Sequence, residues 1–329
     1  MPDRSSLRTA LSLGAATAGA YAGLAATRWL YQRRLTPPSA LPPVLDWDTR
    51  ILETRHGRTH LYVRPGTGPP VVLLHSLNAV ASSVEMKPIA EHLAATTDRP
   101  LYAVDWLGFG RSDRPAGPYT PDTYAHQLYR VLTDVLDAPA DLVALSLGGE
   151  YAAEQALQAA PRVRRLVLVS PTGLTPTRGP SLMGRLGLAL AGRTGTFDLL
   201  YYRLTRRTSL CDFYERQVFL DPEAVPTALL DYAETTSHAK GAPHAPRHFV
   251  QGDLFIDDVA DQIYARLYRP TLLLTPATPG PTVQSFDLLP RLLDQNARHV
   301  THRTLPGGLL PHWEAPDAVF KALDAFLLD

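Results

Sequence analysis

The chain has 329 residues, and its 32 lysines and arginines balance 32 aspartates and glutamates, so the formal net charge is zero. Nucleic-acid-binding proteins normally carry a basic surplus, and this balance argues against a nucleic-acid partner. Hydrophobic residues make up 45% and charged residues 19%, which is typical of a globular protein. The single cysteine, Cys211, excludes an internal disulfide framework.

Residues 9–27 form an uncharged N-terminal segment rich in alanine, glycine and threonine, with arginines on both sides. Its length is close to the ~20 residues of a membrane span, although its composition predicts weak insertion. We favour a membrane-tethering helix and therefore a membrane-associated protein. A cleaved signal peptide ending near Ala18-Gly19-Ala20 would instead make the protein exported. A helix that packs on a soluble domain would leave it cytoplasmic.

The composition along the chain divides it into four parts. Residues 1–34 hold the hydrophobic segment, and the proline-rich residues 35–45 predict an extended linker. Residues 46–174 and 269–329 alternate strand and helix patterns, whereas residues 175–268 interrupt that alternation and predict a helical cap.

Within the alternating parts, strands and helices follow one another in a regular order. Residues 49–66 predict a hairpin with His56-Gly57 at its turn. Continuous apolar runs then predict buried parallel strands; they lie at 71–76, 101–106, 141–146, 165–171 and 271–276. A short strand at 299–306 and a helix at 317–328 close the chain. Repeated βα units predict an α/β fold with a mostly parallel, doubly wound sheet.

Ser146 occupies the junction between a predicted strand and a predicted helix. Ala144 and Gly148 flank it at minus two and plus two, so the segment is an A-x-S-x-G variant of the G-x-S-x-G nucleophile elbow. Free backbone N–H groups at the start of the helix could stabilise an oxyanion. The competing interpretation is an ordinary serine N-cap.

Five segments in chain order resemble the α/β-hydrolase superfamily over roughly residues 46–329. They are VVLLHSLNAVASSVEMKPIA, YAVDWLGFGRSDRP, LVALSLGGEYAAEQA, PRVRRLVLVSP and LPGGLLPHWEAPDAVFKALDAFL. The resemblance implies an α/β-hydrolase fold with a cap, and an esterase- or lipase-type enzyme.

The resemblance also implies residue roles. Ser146 matches the nucleophile and His312 the general base, because an unactivated serine hydroxyl needs an adjacent imidazole. The oxyanion donors would be the backbone N–H groups of Leu147 and Leu77. Relatives with dehalogenase or epoxide-hydrolase chemistry place an aspartate where this chain has Ser146, which disfavours those activities.

The acid of the expected triad is missing from its usual places. No carboxylate follows the strands at 271–276 or 165–171 directly. Asp287 is the nearest replacement, although it also fits a helix N-cap. We therefore expect a Ser–His dyad whose third partner is unidentified or relocated.

Two functions remain open. The favoured function is a serine hydrolase that cleaves an ester or similar acyl bond of a small molecule through an acyl-enzyme on Ser146. The alternative is a non-catalytic protein of the same fold that binds a ligand or partner. We expect no cofactor, and we interpret His238, His244 and His248 as loop residues rather than metal ligands. The sequence carries no signal for an oligomeric state.

Overall fold

The computed structural model describes residues 22–176, 196–277 and 285–328. The predicted hydrophobic segment at 9–27 lies mostly outside the described residues. Its last part, with the residues that follow, forms a helix over 22–32. None of the helices in the described ranges has the length and apolarity needed to cross a membrane.

The described residues form one mixed sheet of eight strands in the order β1-β2-β4-β3-β5-β6-β7-β8. The hairpin β1–β2 is antiparallel and β2 pairs antiparallel with β4, whereas the other neighbours are parallel. The strands are β1 Asp48–Thr54, β2 Gly57–Arg64, β3 Val71–Leu74, β4 Leu101–Val104, β5 Ala140–Leu145, β6 Val163–Val169, β7 Thr271–Pro276 and β8 Val300–Leu305. The α/β fold class and its mostly parallel sheet are confirmed.

The central strands are buried on both faces, which explains their continuous apolar runs. Successive side chains of a strand point to opposite faces. In β5, Leu142 and Ala144 accordingly belong to one hydrophobic cluster, whereas Val143 and Leu145 belong to the other. The sheet thus separates two cores, and helices cover each of them.

The helices connect successive strands and present apolar stripes to these cores. In the C-terminal helix, Val319, Leu323 and Leu327 recur every four residues and are all buried. The α-helices are α1 Lys87–Thr96, α2 Pro121–Arg130, α3 Gly148–Gln158, α4 Thr196–Leu204, α5 Arg207–Phe213, α6 Thr227–Ser237, α7 His244–Gln251, α8 Val259–Gln262, α9 Leu289–Asn296, α10 Pro311–Glu314 and α11 Pro316–Leu327. Short 3₁₀ turns lie at Pro38–Ala40, Ser83–Met86, Ala160–Arg162, Pro222–Ala224 and Tyr264–Arg266, and π turns at Val131–Val135 and Tyr214–Val218.

Helices α4 to α8 belong to the segment between β6 and β7 that the sequence predicts as a cap, residues 175–268, called the insertion below. The insertion contacts loops at the carboxyl ends of the parallel strands. The hydroxyl of Tyr201 on α4 donates to the carbonyl of Ala79 after β3 at 2.8 Å. The insertion therefore lies over the edge of the sheet at which Ser146 ends β5.

Residues 35–45, predicted as a linker, pack against the rest of the protein. Leu41, Val44 and Leu45 are buried, and the backbone N–H of Val44 donates to the hydroxyl of Tyr62 at 3.1 Å. The hydroxyl of Tyr232 on α6 donates to the carbonyl of Pro42 at 3.2 Å. This extended segment thus connects β2 with the insertion.

Candidate active site

Ser146 forms a sharp turn between β5 and α3. Its φ is +51°, in the left-handed region that non-glycine residues rarely adopt. Such a conformation costs on the order of 1–3 kcal/mol and is typical of functional sites. The N–H of Ser146 still continues the sheet by donating to the carbonyl of Val169 at 2.9 Å, and its own carbonyl accepts from Gly149 at 2.9 Å. The turn therefore ends the strand and begins the helix at a single residue.

Two small residues after Ser146 let neighbouring chain segments approach. A Cβ at Gly148 would lie 2.5 Å from the carbonyl oxygen of His75, and one at Gly149 would lie 3.1 Å from a methyl group of Leu168. Ala144, which departs from the glycine of the usual motif, lies within β5 in register with Leu74 and Leu168. Its extended backbone needs no glycine, so the A-x-S-x-G variant supports the turn.

The predicted oxyanion donors lie on two adjoining elements. Leu147 occupies the N-cap position of α3, where the backbone N–H has no acceptor within the helix. Leu77 follows β3 in the loop that contacts Gly148 through His75. Both leucines are buried in the same hydrophobic cluster. Leu147 thus begins the helix of the elbow, and Leu77 lies two residues after His75, whose carbonyl faces Gly148.

Glu85, which the sequence reasoning missed, fastens the loop that carries Leu77. Its carboxylate is buried and accepts from the N–H of Ser76 and from the side-chain amide of Asn78, each at 2.9 Å. Burial raises the pKa of Glu85, whereas these hydrogen bonds act in the opposite direction. The available signal was a single acidic residue within the apolar segment around Val84 and Met86.

His312 lies on α10, after β8, and its side chain is fully buried. Its Nε2 lies 2.6 Å from the backbone carbonyl of Glu85, and because a carbonyl only accepts, Nε2 carries the proton and donates. The indole N–H of Trp313 donates to the same carbonyl at 3.0 Å. Nδ1 of His312 is buried without a hydrogen-bond partner in the described residues. Burial lowers the pKa of His312 to about 4.

Ser146 and His312 both adjoin the chain segment from His75 to Glu85. Gly148, in the turn of Ser146, packs on the carbonyl of His75 at one end of that segment, and His312 binds the carbonyl of Glu85 at the other. Both residues also follow the carboxyl ends of parallel strands. The structure therefore brings the predicted nucleophile and base to the same edge of the sheet.

A family model described as alpha/beta hydrolase fold matches residues 69–219, which include β3 to β6 and the elbow. The chain belongs to the α/β-hydrolase superfamily. The mostly parallel sheet with flanking helices is the fold that the sequence resemblance implied.

Curated relatives of this α/β-hydrolase have several activities. A 2-hydroxymuconate semialdehyde hydrolase of Pseudomonas sp. is 35% identical over 120 residues, which are 36% of this chain and 41% of that protein. Haloalkane dehalogenase 2 of Mycobacterium tuberculosis is 28% identical over 245 residues, which are 71% of this chain and 79% of that protein. The chain spans 40–41% of the length of curated relatives that are 32 to 35% identical to it.

Among solved structures, the carboxylesterase CesB from Bacillus subtilis superposes with a TM-score of 0.67. Its sequence is 20% identical, and the match covers 91% of this chain and 96% of that chain. This similarity concerns the fold.

The structure places the predicted acid, Asp287, apart from His312. The side chain of Asp287 is exposed and accepts from the hydroxyl of Ser285 at 2.7 Å, which is the behaviour of a turn residue before α9. The backbone N–H of Leu288, the residue after Asp287, donates to the carbonyl of Leu174, which follows β6. His312 is instead fully buried, its Nε2 binds the carbonyl of Glu85 and its Nδ1 has no hydrogen-bond partner, so no hydrogen bond joins this aspartate and this histidine in the described residues.

Two other carboxylates, one near Ser146 and one near His312 in sequence, bind elsewhere. Glu150 on α3 accepts from the hydroxyl of Thr172 at 2.5 Å and from the N–H of Ile256 in the insertion at 2.9 Å. Burial raises the pKa of Glu150 to about 7. Glu314, next to Trp313, accepts from the N–H of Leu220 in the insertion at 2.7 Å. Both carboxylates therefore attach the insertion to the core.

Asp105 and His75 hold the loops around the site in place. The carboxylate of Asp105 accepts from the hydroxyl of Ser83 at 2.7 Å and from the N–H of Arg111 at 2.8 Å. His75 donates through Nδ1 to the carbonyl of Ser76 at 2.6 Å and accepts at Nε2 from the N–H of Trp106 at 3.1 Å. With both ring nitrogens engaged by backbone, His75 shapes its loop.

The three histidines of the insertion each have a separate partner. His238 contacts the carbonyl of Glu234 at 2.7 Å, and His248 contacts the carboxylate of Asp253 at 3.0 Å. His244 contacts the carbonyl of Pro115 at 2.9 Å. Within the described ranges, no cluster of potential ligands could hold a metal ion.

Proposed function

We propose that this α/β-hydrolase is a serine hydrolase that cleaves an ester or similar acyl bond of a small molecule. The observation that carries the proposal is the left-handed φ of +51° at Ser146, on the turn between β5 and α3. That strain holds a hydroxyl at the start of a helix, where backbone N–H groups are available to a developing oxyanion.

In the proposed reaction, the Ser146 hydroxyl oxygen attacks the acyl carbon while its proton passes to His312. The N–H groups of Leu147 and Leu77 stabilise the oxyanion that forms. The tetrahedral intermediate then collapses, the bond to the leaving alcohol breaks, and the alcohol takes the proton from His312. Water attacks the acyl-serine with His312 again as the base, which releases the acid and restores Ser146.

The basic nitrogen of His312 follows from its hydrogen bond. Since Nε2–H donates to the Glu85 carbonyl, the lone pair of the neutral ring is on Nδ1. The carbonyl orients the imidazole and would stabilise the imidazolium, which are the tasks of the acid in a complete triad. The Glu85 carbonyl carries no full negative charge, however, so we expect a slower enzyme than one with a carboxylate at this position.

The proposal also assigns the insertion, residues 175–268, to a cap over the site. Its contacts with the core support this assignment. Tyr201 binds the loop after Leu77, and Glu314, two residues after His312, binds the insertion. A cap would exclude water and select the substrate.

Fluorophosphonate labelling of the full chain tests the proposal. We expect the wild type to take one label and Ser146→Ala to take none. His312→Asn should slow labelling by at least about 10²-fold, the low end of general-base contributions. Because the pKa of His312 is lowered to about 4, the rate of labelling should stay constant from pH 6 to pH 9. A wild type that takes no label, or a Ser146→Ala variant that still does, would contradict the proposal.

The unpaired Nδ1 of His312 favours a second function, a non-catalytic protein of this fold that binds a ligand or partner. A histidine with no carboxylate partner and a pKa lowered to about 4 is a weak base. The same labelling experiment separates the two functions, because a binding protein would leave Ser146 unmodified.

A further inference from the structure

Arg114 is a buried cation, and two of its three side-chain nitrogens have no hydrogen-bond partner in the described residues. It follows β4, and its residue is only 8% exposed. Nη2 donates to the hydroxyl of Thr236 on α6 at 2.9 Å. Nε and Nη1 are buried and have no hydrogen-bond partner in residues 22–176, 196–277 and 285–328. Since a guanidinium remains charged in proteins, two N–H nitrogens of a buried cation lack an acceptor.

The neighbouring polar groups leave these two nitrogens without an acceptor. The carboxylate of Asp105 attracts the guanidinium electrostatically, but in the described residues it forms no ion pair with Arg114 and accepts from Ser83 and Arg111 instead. Three phenols near the guanidinium each donate to a backbone carbonyl: Tyr119 to Pro115, Tyr201 to Ala79 and Tyr232 to Pro42. Burial lowers the pKa of Arg114. Buried charges in proteins are normally paired and hydrogen-bonded, so the two free N–H nitrogens of Arg114 suit an anionic acceptor.

A small cavity between the core and the insertion adjoins Arg114. Its volume is about 10 Å³, which is room for about one water molecule. Ala79 and Phe109 line it from the core, and Tyr201, Thr236 and Ala242 line it from the insertion. Ala79 lies two residues after Leu77, so the cavity adjoins the loop of the proposed oxyanion donors.

We propose that Arg114 and this cavity bind the carboxylate of an acyl compound that carries one negative charge away from its scissile bond. That the carboxylate belongs to a substrate rests on the proposed hydrolase function, whereas the binding of an anion at Arg114 does not. A guanidinium presents parallel N–H donors that match a carboxylate.

The surroundings favour a carboxylate over a phosphate. The other cavity walls are mostly apolar, and one guanidinium balances a single negative charge rather than the two of a phosphate near neutral pH. The cavity is smaller than a carboxylate. The wall that has to shift consists of Tyr201 and Thr236, which lie on helices α4 and α6 of the insertion.

Titration calorimetry on the full chain with Ser146→Ala tests binding without turnover. The probes are succinate and its uncharged analogue succinamide. We expect succinate to bind at least 10-fold more tightly than succinamide, Arg114→Met to weaken succinate at least 10-fold, and Arg114→Lys to retain part of the affinity. Arg203→Met, on the exposed face of α4, is the matched control and should change the affinity less than 2-fold. Equal binding of succinate and succinamide, an unchanged affinity in Arg114→Met, or tighter binding of inorganic phosphate would overturn the proposal.

Two further measurements separate this role from a structural one and from the hydrolase function. Without an anion, Arg114→Met should unfold at the same urea concentration as the wild type or a higher one; a lower midpoint would indicate a structural arginine. For the wild type, kcat/KM on the mono-4-nitrophenyl ester of succinic acid should exceed that on 4-nitrophenyl butyrate, and Arg114→Met should abolish the difference. If no ester is cleaved but Arg114 still governs succinate affinity, the hydrolase function fails and the anion site stands.

Discussion

Ser146 and Glu150 lie four residues apart, and each is held in an unfavourable state by the fold. Ser146 has a strained backbone, and Glu150 has a buried carboxyl group. Ser146 adopts a left-handed backbone at the end of β5. Glu150 is fully buried on the first turn of α3, where the hydrogen bonds from Thr172 and Ile256 only partly offset the burial that raises its pKa to about 7. The turn thus combines a strained serine, the proposed nucleophile, with a carboxyl group whose pKa is raised to about 7.

Glu150→Gln should remove a pH dependence of stability. The ordinary pKa of this carboxyl is 4.5 and the folded value is about 7, so the folded protein binds the proton more tightly between these values. The wild type therefore loses stability relative to the variant as pH rises from about 4.5 through about 7, by about 2–3 kcal/mol. A glutamine can still accept from Ile256 and donate to Thr172. Urea unfolding of both proteins at pH 5 and pH 8 measures the difference.

Other titrating groups do not obscure this comparison. The pKa values of His75 and His312 are both lowered to about 4, so they destabilise the fold as pH falls from 6.5 towards 4, equally in both proteins. Glu91→Gln, at an exposed carboxylate that pairs with Lys87, is the control and should change stability by only a few tenths of a kcal/mol. A difference between wild type and Glu150→Gln that does not vary with pH would contradict the assignment.

At the scale of elements, the elbow depends on how closely α3 approaches the end of β3. Gly148→Ala and Gly149→Ala would each favour helix by up to about 1 kcal/mol on propensity alone. The Cβ at position 148 would lie 2.5 Å from the backbone carbonyl of His75, whereas the nearest neighbour of a Cβ at position 149 would be the end of the Leu168 side chain, at 3.1 Å. We expect Gly148→Ala to cost about 1–3 kcal/mol and to slow the labelling of Ser146, because the loop that carries Leu77 must shift.

Gly149→Ala is the matched control for that prediction. Its neighbour is a flexible side chain, so its stability should stay within about 1 kcal/mol of the wild type and its labelling should be unchanged. Urea unfolding and fluorophosphonate labelling of both variants make the comparison. Equal effects of the two substitutions would show that helix propensity, rather than the approach of His75, governs this turn.

The elements around this turn are those that local patterns can predict. Continuous apolar runs indicated β3, β5 and β7 because a strand covered on both faces needs apolar residues throughout. The position of Ser146 followed from the strand, the small neighbours and the helix. Contacts between distant segments carry no such pattern. The hydrogen bond from His312 to Glu85 joins residues 227 positions apart, and it uses a backbone carbonyl that every residue possesses.

The acid partner of His312 could not be predicted from the sequence for the same reason. Asp287 was the nearest carboxylate after β7 in sequence, yet its local hydrogen bond with Ser285 holds it at the surface. The sequence marked Glu85 only as one acidic residue in an apolar segment, because its contact with His312 depends on the fold that surrounds it. The hydrogen-bond partner of a catalytic-type histidine can therefore be inferred from sequence only when that partner is a side chain at an expected position.

At the scale of the whole molecule, the N-terminal helix and the insertion form a continuous unit beside the core. Arg28 makes an ion pair with Asp198 on α4 at 2.9 Å, and the ring of Tyr31 lies 4.3 Å from that of Tyr202. Lys240, before α7, donates its N–H to the carbonyl of Thr36. The chain thus joins the segment at 9–27 to the proposed cap, and a tether at the N-terminus would hold the cap side of the molecule near the membrane.

Trp29 and Leu30 on this helix strengthen the prediction of a tether. They are 52% and 59% exposed, and the guanidinium of Arg33 lies 4.0 Å from the Trp29 ring. Exposed tryptophan beside arginine is typical of a membrane interface. We therefore expect the full chain to sediment with membranes in a fractionation experiment, and a chain without residues 1–21 to sediment less.

Two truncations separate tethering from folding. Removal of residues 1–21 leaves the ion pair of Arg28 and the ring contact of Tyr31 in place, so the urea midpoint and the labelling of Ser146 should not change. Removal of residues 1–34 deletes both contacts and should lower the midpoint, because the largely buried Asp198 loses its ion-pair partner. A full chain that stays in the supernatant would refute the tether. An unchanged midpoint after removal of residues 1–34 would show that the helix contributes nothing to the stability of the insertion.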